Sequence, residues 1–461
     1  NADNPVINTR SFGEDPKKVA ELGVVALNAI QQQGVMGTLK HFPGHGDTHV
    51  DSHLGLPRVD HDLSTIERVD LAPFTWAIKH SKPAMIMTAH IQYPALDNTT
   101  FTSKSGEQLI RPATMSKKIL TDLLRNKMAF NGIIATDALD MAGVTHFFSP
   151  VEATVETFIA GADLAVMPFK VRTPSDITNF KRFIKDVSHE LLVRIEQGDI
   201  ELADIEQSLA RLNQYKTNYI DLSEIDVEQK INVAKKLIAN EEHLALEQTL
   251  ADAAVTVLKN EDLLPLKSAL QFKDRSIDTV HLIAANAQEL VALRYGLDQA
   301  IEQAGIRLNQ VTSFVADEST MTSLSMASPN SASDALMAAD VVIATLDVKM
   351  ASLVDLGGMD DALVSYGSQQ EKQQKRTYEK LLKQQLKAVK KHNTPSILIA
   401  KGSPFLLESY SELVNAVLLN FDDRIYPLAA KKHIFTSPGM NASMQVVFGL
   451  HAAQGVLPVT L

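Results

Sequence analysis

Four histidines, His41, His45, His49 and His53, recur at four-residue intervals in the stretch KHFPGHGDTHVDSH, with Asp47 and Asp51 among them. On an α-helix that period would align four imidazoles on one face, and His with Asp is a zinc-binding donor set. The local sequence argues against the helix. Pro43 lacks a backbone donor, and Gly44 and Gly46 flank His45, so the stretch reads as a loop and the period loses its geometric meaning. No metal is assigned.

Other chemistry is available to the same residues. In Asp51-Ser52-His53 a carboxylate stands two positions from an imidazole, close enough to hold its tautomer and let it give and take a proton near neutral pH. A solvated loop with an idle histidine fits the three residues as well. Asp137 stands where the apolar run GIIAT ends, a fixed backbone position suited to a nucleophile. It is equally placed to cap a helix, three residues before Asp140. Arg10, Lys40 and His41 form a third set, able to bind the hydroxyl or acid groups of a substrate or to serve as ordinary surface charge.

The elements that must position these groups alternate. In the first half, PKKVAELGVVALNAIQQQG reads as a helix and Val35–Phe42 as a strand. LAPFTWAIKH is then a helix and PAMIMTAHI a strand, SKKILTDLLRNKMAF a helix and GIIATDALDM a strand. PVEATVETFIAG closes the series as a helix, followed by ADLAVMP as a strand. Such alternation predicts a parallel sheet with helices on its faces. Each predicted strand ends in potentially functional residues: Lys40 and His41, Thr88 and His90, Thr136 and Asp137, Met167 and Pro168. Active-site groups gathered from several strand ends are the pattern of a (β/α)8 barrel. The stretch Lys216–Asn240 is polar and reads as a linker with some helix. Beyond it, DTVHLIAA, DVVIATL, PSILIA and NAVLLNF read as strands and QQKRTYEKLLKQQLKAVKKH as a helix, a doubly wound α/β domain.

The 461 residues exceed one ordinary core, so two domains are expected. With 45% hydrophobic and 21% charged residues, the composition is that of a globular protein. A net charge of -11 argues against a nucleic-acid binder. No apolar run is long enough to span a membrane. The absence of cysteine excludes thiolate chemistry and suits an extracytoplasmic compartment, which we favour over the cytoplasm.

The motifs NPVINTRSFGEDP, KHFPGHGDTHVDSH and GIIATDALDM together resemble the β-N-acetylglucosaminidases of glycoside hydrolase family 3, enzymes of peptidoglycan recycling. AVTVLKNEDLLPL, at Ala254–Leu266, is similar to the start of the second domain in two-domain members. The resemblance implies a TIM-type (β/α)8 barrel followed by an α/β sandwich. The barrel part would fill residues 1–215, the linker 216–245 and the sandwich 246–461. It implies a retaining exo-acting glycosidase that uses no cofactor and removes terminal N-acetylglucosamine from cell-wall glycans. Asp137 would be the nucleophile and His53, oriented by Asp51, the acid/base. Arg10, Lys40 and His41 would bind the sugar, with Met167 at the fourth strand end, while His45 and His49 would be loop residues. The Asp51–His53 dyad favours this branch over the family's β-glucosidases. A glycoside phosphorylase with the same residues, a non-catalytic carbohydrate-binding protein and a metal-dependent barrel hydrolase are the rival classes. Family barrels begin upstream of the residue matching Asn1, and only about four βα units are visible where closure takes eight. The expectation is therefore a fragment, or a second chain that supplies the rest.

Overall fold

The computed structural model describes residues 4, 7, 10–48, 56–220, 226–266, 271–272, 275–276, 278–315, 330–348, 362–405, 407–428 and 431–461. The chain divides into two compact units, one built mainly from residues up to 225 and the other from Asp226 onward.

In the first unit, helix α1 (Pro16–Gln32) starts where Asp15 accepts the N–H groups of Lys17 and Lys18 at 2.8 and 3.0 Å, with proline as its first residue. Strand β1 (Thr38–Phe42) follows. Next come α2 (Leu63–Thr65), a π-wound turn (Ile66–Asp70), α3 (Ala72–Ser81) and β2 (Met85–Thr88). A hairpin of β3 (Thr100–Thr102) and β4 (Gln108–Ile110) precedes a helix at Lys118–Lys127, and β5 (Ile133–Ala135) completes the sheet. That helix is π-wound, with the Met128 N–H donating to the Leu123 carbonyl. The apolar spacing announces a helix but not its winding, since Ile119, Leu120 and Leu124 bury one face either way.

The three strands lie in the order β1-β2-β5, all parallel, each beside the next in sequence. Sequential parallel neighbours with a helix in every crossover are the construction of a barrel wall. Phe42, Ile86 and Ile134 are fully buried among them. The strand expected at ADLAVMP does not form. Leu164 makes a single parallel bridge to Ala135, and two residues later the Val166 N–H is taken by the Thr136 hydroxyl at 2.9 Å. A side chain has replaced the backbone partner, and the ladder stops there. α4 (Ala142–Thr145) and α5 (Pro150–Ala160) precede this segment in the chain, and α6 (Asp176–Gln197) and α7 (Leu202–Tyr219) follow it.

At the amino end of β5 a buried carboxylate ties the layers together. Asp163, with no exposed side-chain surface, receives Arg125 at 2.8 Å, Arg211 at 2.7 Å and the backbone N–H of Ile134 at 2.8 Å. Arg125 also donates to the carbonyls of Phe130 and Gly132.

The second unit opens with α8 (Val227–Leu237) and α9 (Glu241–Ala254), capped by Asp226 and Asn240. The polar stretch read as a linker is thus largely helical among its described residues, because each helix carries its own N-cap. The sheet holds β6 (Thr256–Asn260), β9 (Thr279–Ala284), β10 (Gln310–Val315), β11 (Val341–Val348), β12 (Ser396–Gly402) and β13 (Ala416–Leu419). A small hairpin, β7 (Gln271–Phe272) with β8 (Arg275–Ser276), lies outside it. The strand order is β10-β9-β11-β12-β13-β6, parallel except for β6 at the edge. Val341 and Ile343 enter one core while Val342, Ala344 and Leu346 enter another, and β12 and β13 divide in the same way. Both faces are therefore buried, which is why these strands read as largely apolar runs rather than as an alternation. Helix α10 (Ala287–Ala304) and the helix at Pro438–Val447 pack in the first core; residues of Ala362–Lys391 pack in the second.

Candidate active site

The carboxyl ends of β1, β2 and β5 bring three of the strand-end residues together. His41, the fourth residue of β1, is buried, and its Nε2 lies 3.5 Å from Oδ2 of Asp137. Asp137 follows β5 by two residues, and its Oδ1 accepts the N–H of Ala138 at 2.8 Å. It does not cap a helix: Met141 holds that position for α4. Asp137 keeps 21% of its side chain exposed against 7% for His41, so the carboxylate can be reached from outside. His90, two residues beyond β2, is buried and places Nε2 3.0 Å from the carbonyl of Ala138, with Nδ1 3.0 Å from the Thr114 hydroxyl.

The electrostatics separate these groups. Burial pushes the His41 imidazole down to about 3, against the pull of Asp137, with His45, Lys40 and Arg10 lowering it further. His41 is accordingly neutral near pH 7. Burial alone would raise the Asp137 carboxyl. In the acid range where this pair titrates, charge on His41 and His90, the Ala138 N–H and Lys40 outweigh it and leave Asp137 below its ordinary value. Near pH 7 Asp137 is therefore an ionised, accessible carboxylate beside a neutral His41.

Arg10 and Lys40 are exposed, and their charges act to lower the His41 imidazole. Met167 is 46% exposed and takes a left-handed backbone, φ 46°. Its segment is stitched to the strand end carrying Asp137, since Thr136 N–H donates to Leu164, Leu139 N–H to Val166, and Val166 N–H to the Thr136 hydroxyl. Asp51, His53 and His49 lie outside the described residues.

His45, read as a loop residue, lies in the loop after β1 and is buried. Its ring meets that of His41 edge-on at 5.6 Å, and Nδ1 lies 2.8 Å from the Thr48 hydroxyl. The Asn4 amide donates to the carbonyls of His45 and Gly46 at 2.7 and 3.0 Å, fixing the loop after β1. A second clamp on that loop went unread in the sequence. His61 spans Asp47 and Asp70, with 2.8 Å from each ring nitrogen to a carboxylate. Burial would lower the His61 pKa, but the hydrogen bonds and charges of Asp70 and Asp47 raise it. Among the described residues no three His, Cys, Asp or Glu side chains are placed to hold a metal ion, and no helix is long and apolar enough to cross a membrane.

Residues 1–215 match the family model for the glycosyl hydrolase family 3 N-terminal domain. The chain is 39% identical over 480 aligned positions to beta-hexosaminidase A of Pseudoalteromonas piscicida, covering 100% of this chain and 72% of that protein. A beta-hexosaminidase of Chromobacterium violaceum is 36% identical over 162 residues, which is 35% of this chain and 42% of that protein. Among solved structures, a glycoside hydrolase family 3 beta-N-acetylglucosaminidase from Paenibacillus sp. str. FPU-7 aligns with TM-score 0.65 and 24% identity. The alignment covers 100% of this chain and 74% of that one. The fold is α/β, with strands of a TIM-type (β/α)8 barrel followed by an α/β sandwich. The chain belongs to glycosyl hydrolase family 3 and is a glycoside hydrolase.

Proposed function

We propose that the protein is a retaining exo-β-N-acetylglucosaminidase that removes terminal N-acetylglucosamine from peptidoglycan fragments or related glycans. The observation that carries the reading is the ionised Asp137 carboxylate beside His41 at the strand ends. Asp137 attacks the anomeric carbon, and the bond from that carbon to the leaving oxygen breaks as His53 donates a proton to the oxygen. A covalent glycosyl-Asp137 forms. Water then attacks the same carbon, His53 takes the water proton, and the Asp137 carboxylate is released. Asp51 holds the His53 tautomer. An imidazole in this role avoids adding a further negative charge beside Asp51 and Asp137.

Neutral His41, with Lys40 and Arg10, binds the sugar hydroxyls, and Met167 lines the same subsite. In this reading residues 1–215 form the catalytic barrel part, 216–245 the linker and 246–461 the sandwich domain. The proposal is tested with a 5-fluoro-N-acetylglucosaminyl fluoride followed by peptide mapping. A glycosyl adduct on Asp137 supports it, and an adduct on any other carboxylate overturns it.

A further inference from the structure

We propose that His90 is a positioning residue for Asp137, acting through the backbone of Ala138. The inference rests on the reading of Asp137 as nucleophile. Ala138 is held at three points. Its N–H donates to Asp137 Oδ1 at 2.8 Å, and its carbonyl accepts from His90 Nε2 at 3.0 Å. The peptide joining it to Leu139 is fixed at its other side by the Leu139 N–H on Val166 at 2.9 Å. The Ala138 carbonyl and the Leu139 N–H share one peptide plane, so the bonds to His90 and Val166 fix that plane and with it the Cα of Ala138, the residue whose own N–H lies on the Asp137 carboxylate. His90 therefore anchors the residue whose N–H holds Asp137 Oδ1.

The proton count fixes the His90 tautomer at the working atom. A carbonyl only accepts, so Nε2 carries a proton in its contact with Ala138. The Thr114 hydroxyl lies 3.0 Å from Nδ1, 2.8 Å from the Ala89 carbonyl and 2.8 Å from the Thr88 hydroxyl. If Thr114 donates to Nδ1, His90 is neutral; if Thr114 donates to Ala89, Nδ1 carries a second proton and His90 is a cation. Nε2–H stays on Ala138 in both states. In the cationic state the ring's charge also lowers the Asp137 carboxyl, alongside the contributions of His41, the Ala138 N–H and Lys40. Burial of His90 at 1% exposure leaves no path by which it could touch substrate directly while making these bonds.

The test compares His90→Gln, His90→Asn and His90→Ala. Glutamine reaches as far as Nε2 and keeps a donor for Ala138; asparagine reaches only as far as Nδ1 and keeps the Thr114 contact. The readouts are kcat and KM on an aryl N-acetylglucosaminide and the rate of covalent labelling by the 5-fluoro reagent. Misplacing a reacting group by a fraction of an ångström to 1 Å costs up to about 10²-fold. Asparagine and alanine should lower kcat and the labelling rate by roughly that factor with KM little changed, and move the acid limb of the pH profile upward. Glutamine should restore most of kcat. Should the alanine variant not fold, the glutamine–asparagine pair decides alone. Equal losses in those two, or wild-type labelling of Asp137 in His90→Asn, overturn the role of His90. A wild-type adduct on a residue other than Asp137 overturns instead the reading on which the inference rests.

Discussion

Asp137 and Asp163 flank the same short strand, one at each end, and are wired in opposite ways. Asp163, at the amino end of β5, is fully buried and saturated by two arginines and a backbone N–H. Asp137, at the carboxyl end, has one backbone donor and a neutral imidazole at 3.5 Å, and keeps part of its side chain exposed. A carboxylate whose lone pairs are all taken serves the fold, since removing a partner would strand a buried charge. A carboxylate with spare lone pairs, an open side and a depressed pKa is available to a reacting carbon. The same division holds for barrels generally, with chemistry at the carboxyl ends of strands and stability at the other face.

The largest effect that could break this comparison is on turnover. Asp137→Ala should reduce kcat by about 10⁴-fold or more while leaving the thermal midpoint near that of wild type, since losing a nucleophile removes the covalent route. Retained turnover, or unfolding, would place Asp137 in the same class as Asp163. The converse change is Asp163→Asn, which leaves Arg125 and Arg211 without their shared anion. Breaking a buried pair costs about 3–5 kcal/mol, to be measured by denaturant unfolding, with kcat per folded molecule preserved. A large loss of kcat in a stably folded Asp163→Asn protein would show that the two ends are not separable.

A smaller effect sharpens the picture at the loop after β1. Asp47 and Asp70 share His61, whose pKa is raised in the folded protein. A raised pKa means that the clamp's stability is fully present below the unfolded histidine value of about 6.5 and is lost as pH rises through the higher folded value. The gap in thermal midpoint between wild type and His61→Ala should therefore narrow as pH rises above neutrality. A gap that widens over that range would contradict the clamp.

Much of this arrangement is legible in the sequence, and the gaps have physical reasons. The strands β11, β12 and β13 stand out because both faces are buried and apolar residues run through the middle of each. β6 does not, since its burial grades from buried Thr256 to exposed Asn260. Asp137 and His41 are visible as polar residues ending apolar runs. His90 ends such a run too, but its role depends on Thr114 and Ala138, 24 and 48 residues away. Asp163 is similarly mute, since Arg125 and Arg211 lie 38 and 48 residues from it. The strand expected after α5 fails at one atom, the Thr136 hydroxyl, which no periodicity encodes.

The central claim is that Asp137 attacks the sugar while a different group handles the proton, and azide rescue tests it most directly. Asp137→Gly should be nearly inactive on an aryl N-acetylglucosaminide with a good leaving group. Added azide would enter the space left by the carboxylate and attack from its face, giving the α-glycosyl azide and restoring turnover. His53→Gly with azide should instead yield the β-glycosyl azide, because the glycosyl-Asp137 intermediate still forms and is intercepted from the other face. A β-azide from Asp137→Gly, or no difference in anomer between the two variants, would contradict the account.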